Sequence, residues 1–266
     1  MGGKIKLKSA KEIETMAEGG IILTNILKAL QKKSSVGIKA CEVDGLAGCL
    51  AKEAGAECSF KGYNGFPYNI CFSLNDEVVH GFPEDKIIRE GDLVSLDLGI
   101  KYRGLFTDAS ISFIAGKKPG KEGHKDILAK KKLVRTTLNC LKDTLNFCRP
   151  GFQLGDIGNA IQTRAEKAGF SVVRDLVGHG VGHAVHEDPF VLNYGKPHQG
   201  MKLIPGLVLA IEPMLNAGTF KVILDRRSGW AYKTKDGLPS AHFEWTVAIT
   251  ESNPRVLTPL DWFSFE

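Results

Sequence analysis

Along the chain, apolar positions follow two spacings that alternate. Ser9-Ala10-Lys11-Glu12 carries the residues of a capping box and leads into Ile13, Met16, Ile22, Ile26 and Leu30, the spacing of a long amphipathic helix. A second such stretch holds Leu133, Leu138, Leu141 and Leu145 and is stopped by Pro150. A shorter unit follows each. The segment VGIKACEVDGLAGCLAKEAGA starts at Val36 and PGFQLGDIGNAIQTRAEKAGF starts at Pro150. Without a gap, Gly37 meets Gly151, Glu42 meets Asp156, Val43 meets Ile157, and Ala54-Gly55 meets Ala168-Gly169. Each copy reads as a turn, a helix and a glycine C-cap.

The spacing then changes to that of strands. GDLVSLDLG (Gly91 to Gly99) falls on GLVLAIEPM (Gly206 to Met214), which sets Asp97 on Glu212. Two copies of helix, helix and strands predict an α+β fold. Residues 1–266 are expected to form one domain of two internal repeats, about 9–115 and 123–250, related by an approximate two-fold axis and sharing one core.

Composition narrows the class. Apolar residues at 43% and charged residues at 24% are ordinary globular values, which excludes disorder. The net charge of +5 is scattered, with lysines gathered near the N-terminus and through 117–132. Solvated faces account for them, and a basic surface resting near RNA is the sharper alternative. Six cysteines show neither CxxC nor a disulfide framework. No stretch has the length of a membrane span or the pattern of a signal peptide, and Lys6 breaks the myristoylation pattern after Gly2. A reduced, cytoplasmic protein is expected.

Four acids stand inside apolar strand patterns. Asp97 lies in Leu93–Leu98 and Asp108 in Leu105–Ile111, separated by Lys101-Tyr102-Arg103-Gly104. A tight turn centred on Tyr102 and Arg103 would place Asp97 directly opposite Asp108 on one face, a like-charge pair that needs a cation between its members. Glu212 ends the run Leu207–Ile211 at Pro213, and Glu244 interrupts Phe243, Trp245, Val247 and Ile249. Any one of these acids would more often be an edge residue or half of a salt bridge. Together they lack strand Arg or Lys partners, and buried charges must be paired or bind metal. The stretch Gly178-His179-Gly180-Val181-Gly182-His183-Ala184-Val185-His186 adds imidazoles in a glycine-rich loop that fits neither a nucleotide loop nor HExxH. His80, in Val78-Val79-His80-Gly81, reads alone as an ordinary loop residue. Four carboxylates with an imidazole suit Mn, Fe, Co or Zn, and suffice to bridge two ions about 3.5–4 Å apart.

The ordered set Asp97, Asp108, His179, Glu212 and Glu244 resembles the ligand pattern of the pita-bread metallopeptidases, which include methionine aminopeptidases, aminopeptidase P and prolidase. The strings YNGFP, NDEVVHGFP, GHGVGHAVHEDP, IEPM and GWAYKTKDG are similar to the type I methionine aminopeptidase family in its short bacterial form, over nearly the whole chain. The resemblance implies a central antiparallel sheet covered by helices and two divalent ions (Co, Mn, Fe or Zn). It implies that Asp108 and Glu244 bridge the ions, that Asp97 binds one, and that His179 and Glu212 complete the other. Glu212 would also handle the water proton. His80 and His186 would contact the scissile peptide, and Tyr63, Phe66, Cys71 and Trp230 would line the methionine pocket, where ordinary core packing is the alternative for each. The implied substrates are nascent polypeptide N-termini with a small second residue. Transient ribosome contact, no membrane and a monomer complete the expectation. An X-Pro aminopeptidase or prolidase is the alternative within the enzymes, and a non-catalytic binding protein of the same fold the alternative outside them. The chain departs from the pattern at Val185, where an aromatic is frequent, at Trp245, where a smaller polar residue or His is frequent, and through 117–132.

Overall fold

The structure is a computed structural model and describes residues 5–116 and 124–263. Part of the lysine-rich stretch, residues 117–123, lies outside the described residues.

The first half runs α1 (Ala10–Lys33), α2 (Ala40–Glu53), β1 (Glu57–Cys58), β2 (Cys71–Leu74), β3 (Glu77–Val79), β4 (Leu93–Tyr102) and β5 (Leu105–Ile114). The second runs α3 (His124–Thr144), α4 (Leu154–Lys167), β6 (Ser171–Val172), β7 (Gly178–Gly180), β8 (Glu187–Val191), β9 (Val208–Ile211), β10 (Met214–Asn216), β11 (Val222–Leu224), β12 (Tyr232–Thr234), β13 (Ser240–His242), β14 (Trp245–Ala248) and β15 (Arg255–Val256).

The capping box at Ser9 forms as expected: Glu12 N donates to the Ser9 hydroxyl and Ser9 N donates to the Glu12 carboxylate at 2.8 Å. Both shorter helices keep one half of this arrangement, the third helical residue reaching back to the cap: Lys39 N donates to Glu42 and Gln153 N to Asp156. Gly55 and Gly169 follow these helices with φ of 69° and 87°, the left-handed conformation glycine adopts without strain. α3 ends at Thr144, so Leu145 lies one residue beyond the helix its spacing suggested.

All the strand pairings described are antiparallel. One sheet is built on β4, which pairs β1, β2 and β5. A second has the order β15-β14-β9-β7-β8, and two smaller sheets are ordered β13-β10-β6 and β11-β12-β3. The core is continuous across both halves: Leu23 of α1, Val43 of α2, Leu133 of α3 and Ile157 of α4 belong to one apolar cluster with Leu96, Ile111 and Leu209 of the strands and Phe243 between β13 and β14. α1 lies so close to the C-terminal segment that a Cβ on Gly20 would stand 1.9 Å from the Leu257 carbonyl oxygen.

The β4–β5 hairpin corrects the expected register. Tyr102 pairs with Leu105, so the two-residue turn is Arg103-Gly104, with φ of 47° and 84°. Positive φ at both central residues matches the right-handed twist of the flanking strands, and the glycine supplies one of them without strain. Asp97 therefore pairs with Ser110 and Asp108 with Gly99. The two acids keep the same face but sit on a diagonal, not directly opposite.

The chain preceding α1 is tied to the β7–β8 connection by a buried ion pair. Lys8 Nζ lies 2.5 Å from Glu187 Oε2, with side chains 1% and 10% exposed. Glu187 Oε1 accepts from the backbone N–H groups of His183 and Ala184. Removing one member of a buried pair strands the other charge, so Lys8→Ala should lower unfolding free energy by about 3–5 kcal/mol. Lys33→Ala, which breaks a solvent-exposed pair with Glu42, should leave the unfolding transition nearly unchanged. Denaturant unfolding of the two variants checks the contrast.

Candidate metal centre

The two larger sheets meet along β5. Asp108 N donates to Thr246 Oγ1 at 2.9 Å, and the same hydroxyl donates to the Asp108 carbonyl at 2.8 Å. Glu244 N donates to the Ser110 carbonyl, and His242 N to Ser112 Oγ. These contacts run antiparallel and set Asp108 beside Glu244, acids that are far apart in sequence. β9 pairs both β14 and β7, bringing His179 opposite Ala210 and the chain end bearing Glu212 alongside. His179 thus lies on a strand, where the glycine-rich sequence suggested a loop. The glycines have a packing reason: a Cβ on Gly180 would stand 2.3 Å from the Asp188 carbonyl oxygen.

Every site residue named from the sequence lines a single cavity of about 190 Å³: Asp97, Asp108, His179, Glu212 and Glu244 at one end, His80 and His186 beside them, and Tyr63, Phe66, Cys71 and Trp230 around the rest. Phe60, Asn64 and Val79 also line it and were not singled out from sequence. One ligand atom each from Asp108, His179 and Glu244 lies within 4.8 Å of the others, a spacing that could hold a metal ion. Cys71 pairs with Asp97 across β2 and β4, so pocket wall and acid cluster share a register.

The electrostatics favour a cation. Burial pushes the Asp97 carboxyl up to about 7, with Glu212 adding to the rise. Asp108, Glu244 and Glu212 are raised well above the usual carboxylate range, again chiefly by burial. Burial pulls His179 down to about 3 and His80 to about 4, and lowers His186. Desolvation thus disfavours every charge the cluster would carry on its own. Asp97 Oδ1, Asp108 Oδ1 and Glu244 Oε1 are buried with no hydrogen-bond partner, the arrangement expected where a cation takes their lone pairs. His179 Nδ1–H donates to the Gly180 carbonyl at 2.9 Å, which leaves the Nε2 lone pair free, 3.7 Å from Glu212 Oε1.

Away from the acids the wall is aromatic. Phe66 packs edge-on against Trp230 and Phe82 at ring separations of 5.3 and 5.6 Å. Tyr63 Oη lies 3.0 Å from His186 Nδ1. Val185 is buried in the same apolar cluster as Phe60, Phe66 and Cys71. Trp245 points away into the main core and does not line the cavity.

His242 is the charged-type residue that sequence reasoning passed over. It is 2% exposed, with Nε2 3.4 Å from Glu212 Oε2. The signal was available: His242 stands two residues before Glu244, and strand alternation puts such residues on one face.

Residues 14–251 match metallopeptidase family M24. The chain is 41% identical to methionine aminopeptidase 1 of Bacillus subtilis over 94% of its own length and 98% of that protein's. It superposes on the crystal structure of methionine aminopeptidase from Thermotoga maritima with a TM-score of 0.90 and 40% identity, covering 96% of this chain and 99% of that one. A prolidase from Pyrococcus furiosus, 23% identical, shares the fold at a TM-score of 0.74, but this chain spans 66% of it. The architecture is the α+β pita-bread fold of these neighbours.

A carboxyl whose pKa is higher folded than unfolded binds more protons when folded, so stability falls as pH rises toward the folded value. The depressed imidazoles act the opposite way, an effect that is still present at their ordinary 6.5 and fades above it. As it fades the raised carboxyls dominate, and the chelator-treated protein should lose thermal stability as pH rises through 7. Binding a divalent ion should reverse this loss and release protons. Titrating Mn²⁺ calorimetrically at pH 7 in two buffers of different ionisation enthalpy measures the release, and identical heats would contradict it.

Proposed function

The chain belongs to metallopeptidase family M24, and from that premise we propose that it removes the N-terminal methionine from nascent proteins and peptides whose second residue is small. The observation that carries this reading is the single cavity in which a buried acid cluster meets an aromatic, thiol-lined wall. At about 190 Å³ the cavity is smaller than the ~300–1,000 Å³ of pockets that enclose a drug-sized ligand. That size suits one terminal residue. A thioether side chain is matched by Phe66, Trp230, Tyr63 and Cys71, whose surfaces are soft and apolar.

Asp97, Asp108, His179, Glu212 and Glu244 would hold two divalent ions, drawn from Co, Mn, Fe and Zn, with Asp108 and Glu244 the acids that would serve both. When bound, such ions supply Lewis acidity and make a water nucleophilic near neutral pH. The protein's own groups do the rest. Glu212 accepts the proton released by the attacking water and returns it to the leaving amine. His80 and His186, neutral at pH 7 because burial lowers both, donate hydrogen bonds to the scissile peptide. Tyr63 Oη lies 3.0 Å from His186 Nδ1, and with the hydroxyl as donor the imidazole proton would sit on Nε2, free to face the substrate.

The 41% identity to a methionine aminopeptidase over almost the full chain favours this activity over the X-Pro alternative, for which the likeness is one of fold alone. Retention of all five ligand-type residues argues against a non-catalytic binding protein. We place the enzyme in the cytoplasm as a monomer meeting chains at the ribosome, a reading supported by its net charge of +5. No helix among the described residues is long and apolar enough to cross a membrane.

Chelated protein given Mn²⁺ or Co²⁺ should release methionine from Met-Ala-Ser and neither leucine from Leu-Ala-Ser nor methionine from Met-Lys-Ser. Folded protein that releases nothing with any divalent ion would overturn the activity. Glu212→Gln should reduce kcat about 10²–10⁴-fold, and Asp108→Ala should abolish turnover together with metal binding.

A further inference from the structure

His242 ends β13 with its imidazole 2% exposed and its Nε2 lacking a hydrogen-bond partner. That atom faces Glu212 Oε2 at 3.4 Å, while Glu212 Oε1 faces His179 Nε2 at 3.7 Å. The carboxylate is therefore held between two imidazoles, one at each oxygen. The two contacts differ in kind. His179 has its proton on Nδ1, bonded to the Gly180 carbonyl, so its Nε2 and Glu212 Oε1 offer only lone pairs and converge on a cation. His242 lies on the far side of the carboxylate, where a buried oxygen needs a donor.

The position is also stiff. His242 N donates to Ser112 Oγ at 2.9 Å, and Ser112 Oγ donates to the His242 carbonyl at 2.7 Å, so one hydroxyl clamps the backbone that carries the ring. In the β10–β13 pair His242 stands opposite Met214, and Glu212, two residues before β10 begins, comes within 3.4 Å of the ring. We infer that His242 is a positioning residue, donating its Nε2–H to Glu212 Oε2 and so turning Oε1 toward His179 and the cation site. The inference rests on the reading of Glu212 as a metal-binding residue.

Mn²⁺ affinity of the chelated protein, measured calorimetrically for the native chain, His242→Leu and His242→Gln, tests both layers. Leucine fills the space without a donor, and glutamine restores an N–H. The leucine variant should bind Mn²⁺ about 10–100-fold more weakly, and the glutamine variant within about threefold of native. Absence of binding by the native chain would remove the metal reading itself. Native-strength binding by the leucine variant would instead remove the positioning role alone, and a glutamine variant as weak as the leucine one would make the imidazole a ligand instead of a donor. Should the leucine variant not fold, long-range ¹H–¹⁵N correlation of ¹⁵N-histidine protein loaded with Zn²⁺, assigned by the signal lost in His242→Gln, reads the tautomer directly. A proton on Nε2 upholds the proposal, and a proton on Nδ1 overturns it.

Discussion

The seam between β5 and residues 242–246 is the constraint from which the site follows. Two sheets could have met through a backbone ladder, but at two of the three positions a hydroxyl stands in: Thr246 bonds both the N–H and the carbonyl of Asp108, and Ser112 does the same for His242. Only the middle pair, Glu244 N to the Ser110 carbonyl, is backbone to backbone. Each hydroxyl both accepts and donates, so the backbone groups at the junction are satisfied with no ladder on either side. The side chains of Asp108 and Glu244 then emerge together into one cavity. A valine at 246 would keep the shape and leave the Asp108 N–H without its partner, a cost of about 1–3 kcal/mol placed under the acid cluster itself.

What the seam assembles is unfavourable by itself. Four carboxyls raised by burial and imidazoles lowered by it describe a site in which no residue holds its charge comfortably. The surrounding protein supplies no Lys or Arg salt bridge to any of the four acids among the described residues. It supplies orphaned oxygens and an imidazole tautomer fixed by a backbone carbonyl. Stability is in this way exchanged for a site of definite shape and ligand chemistry, and the continuous core shared by the described helices is what tolerates the exchange.

Much of this was legible in the chain. The capping box at Ser9, the glycine caps at Gly55 and Gly169, and the acids embedded in apolar strands are local signals, and each is found where its residues pointed. The hairpin turn was misplaced by one residue, and the pairing therefore by two, because the turn depends on Arg103 taking positive φ, which a residue other than glycine does not announce. His179 looked like a loop residue because glycines that admit a neighbouring backbone resemble glycines that permit a turn. His242 was legible only in part: its spacing from Glu244 marks a shared face, but its approach to Glu212 depends on the pairing of β10 with β13, which no spacing in the sequence reveals.

The pairing of Cys71 with Asp97 links chemistry to selectivity through the backbone. Side chains alternate along a strand, so a slip of one residue in β2 would send Phe72 toward the acids and Cys71 into the core. Phe72 is wholly buried in the main cluster and holds that register by its volume. The thiol is kept un-ionised by burial beside Asp97 and the other acids, so it presents sulfur without adding a charge. An apolar wall therefore stands one strand away from the buried acid cluster, at a distance that packing on the opposite face of the sheet sets. The thiol that lines the cavity and the acid that would hold the metal cannot move independently, because the same ladder of hydrogen bonds carries both.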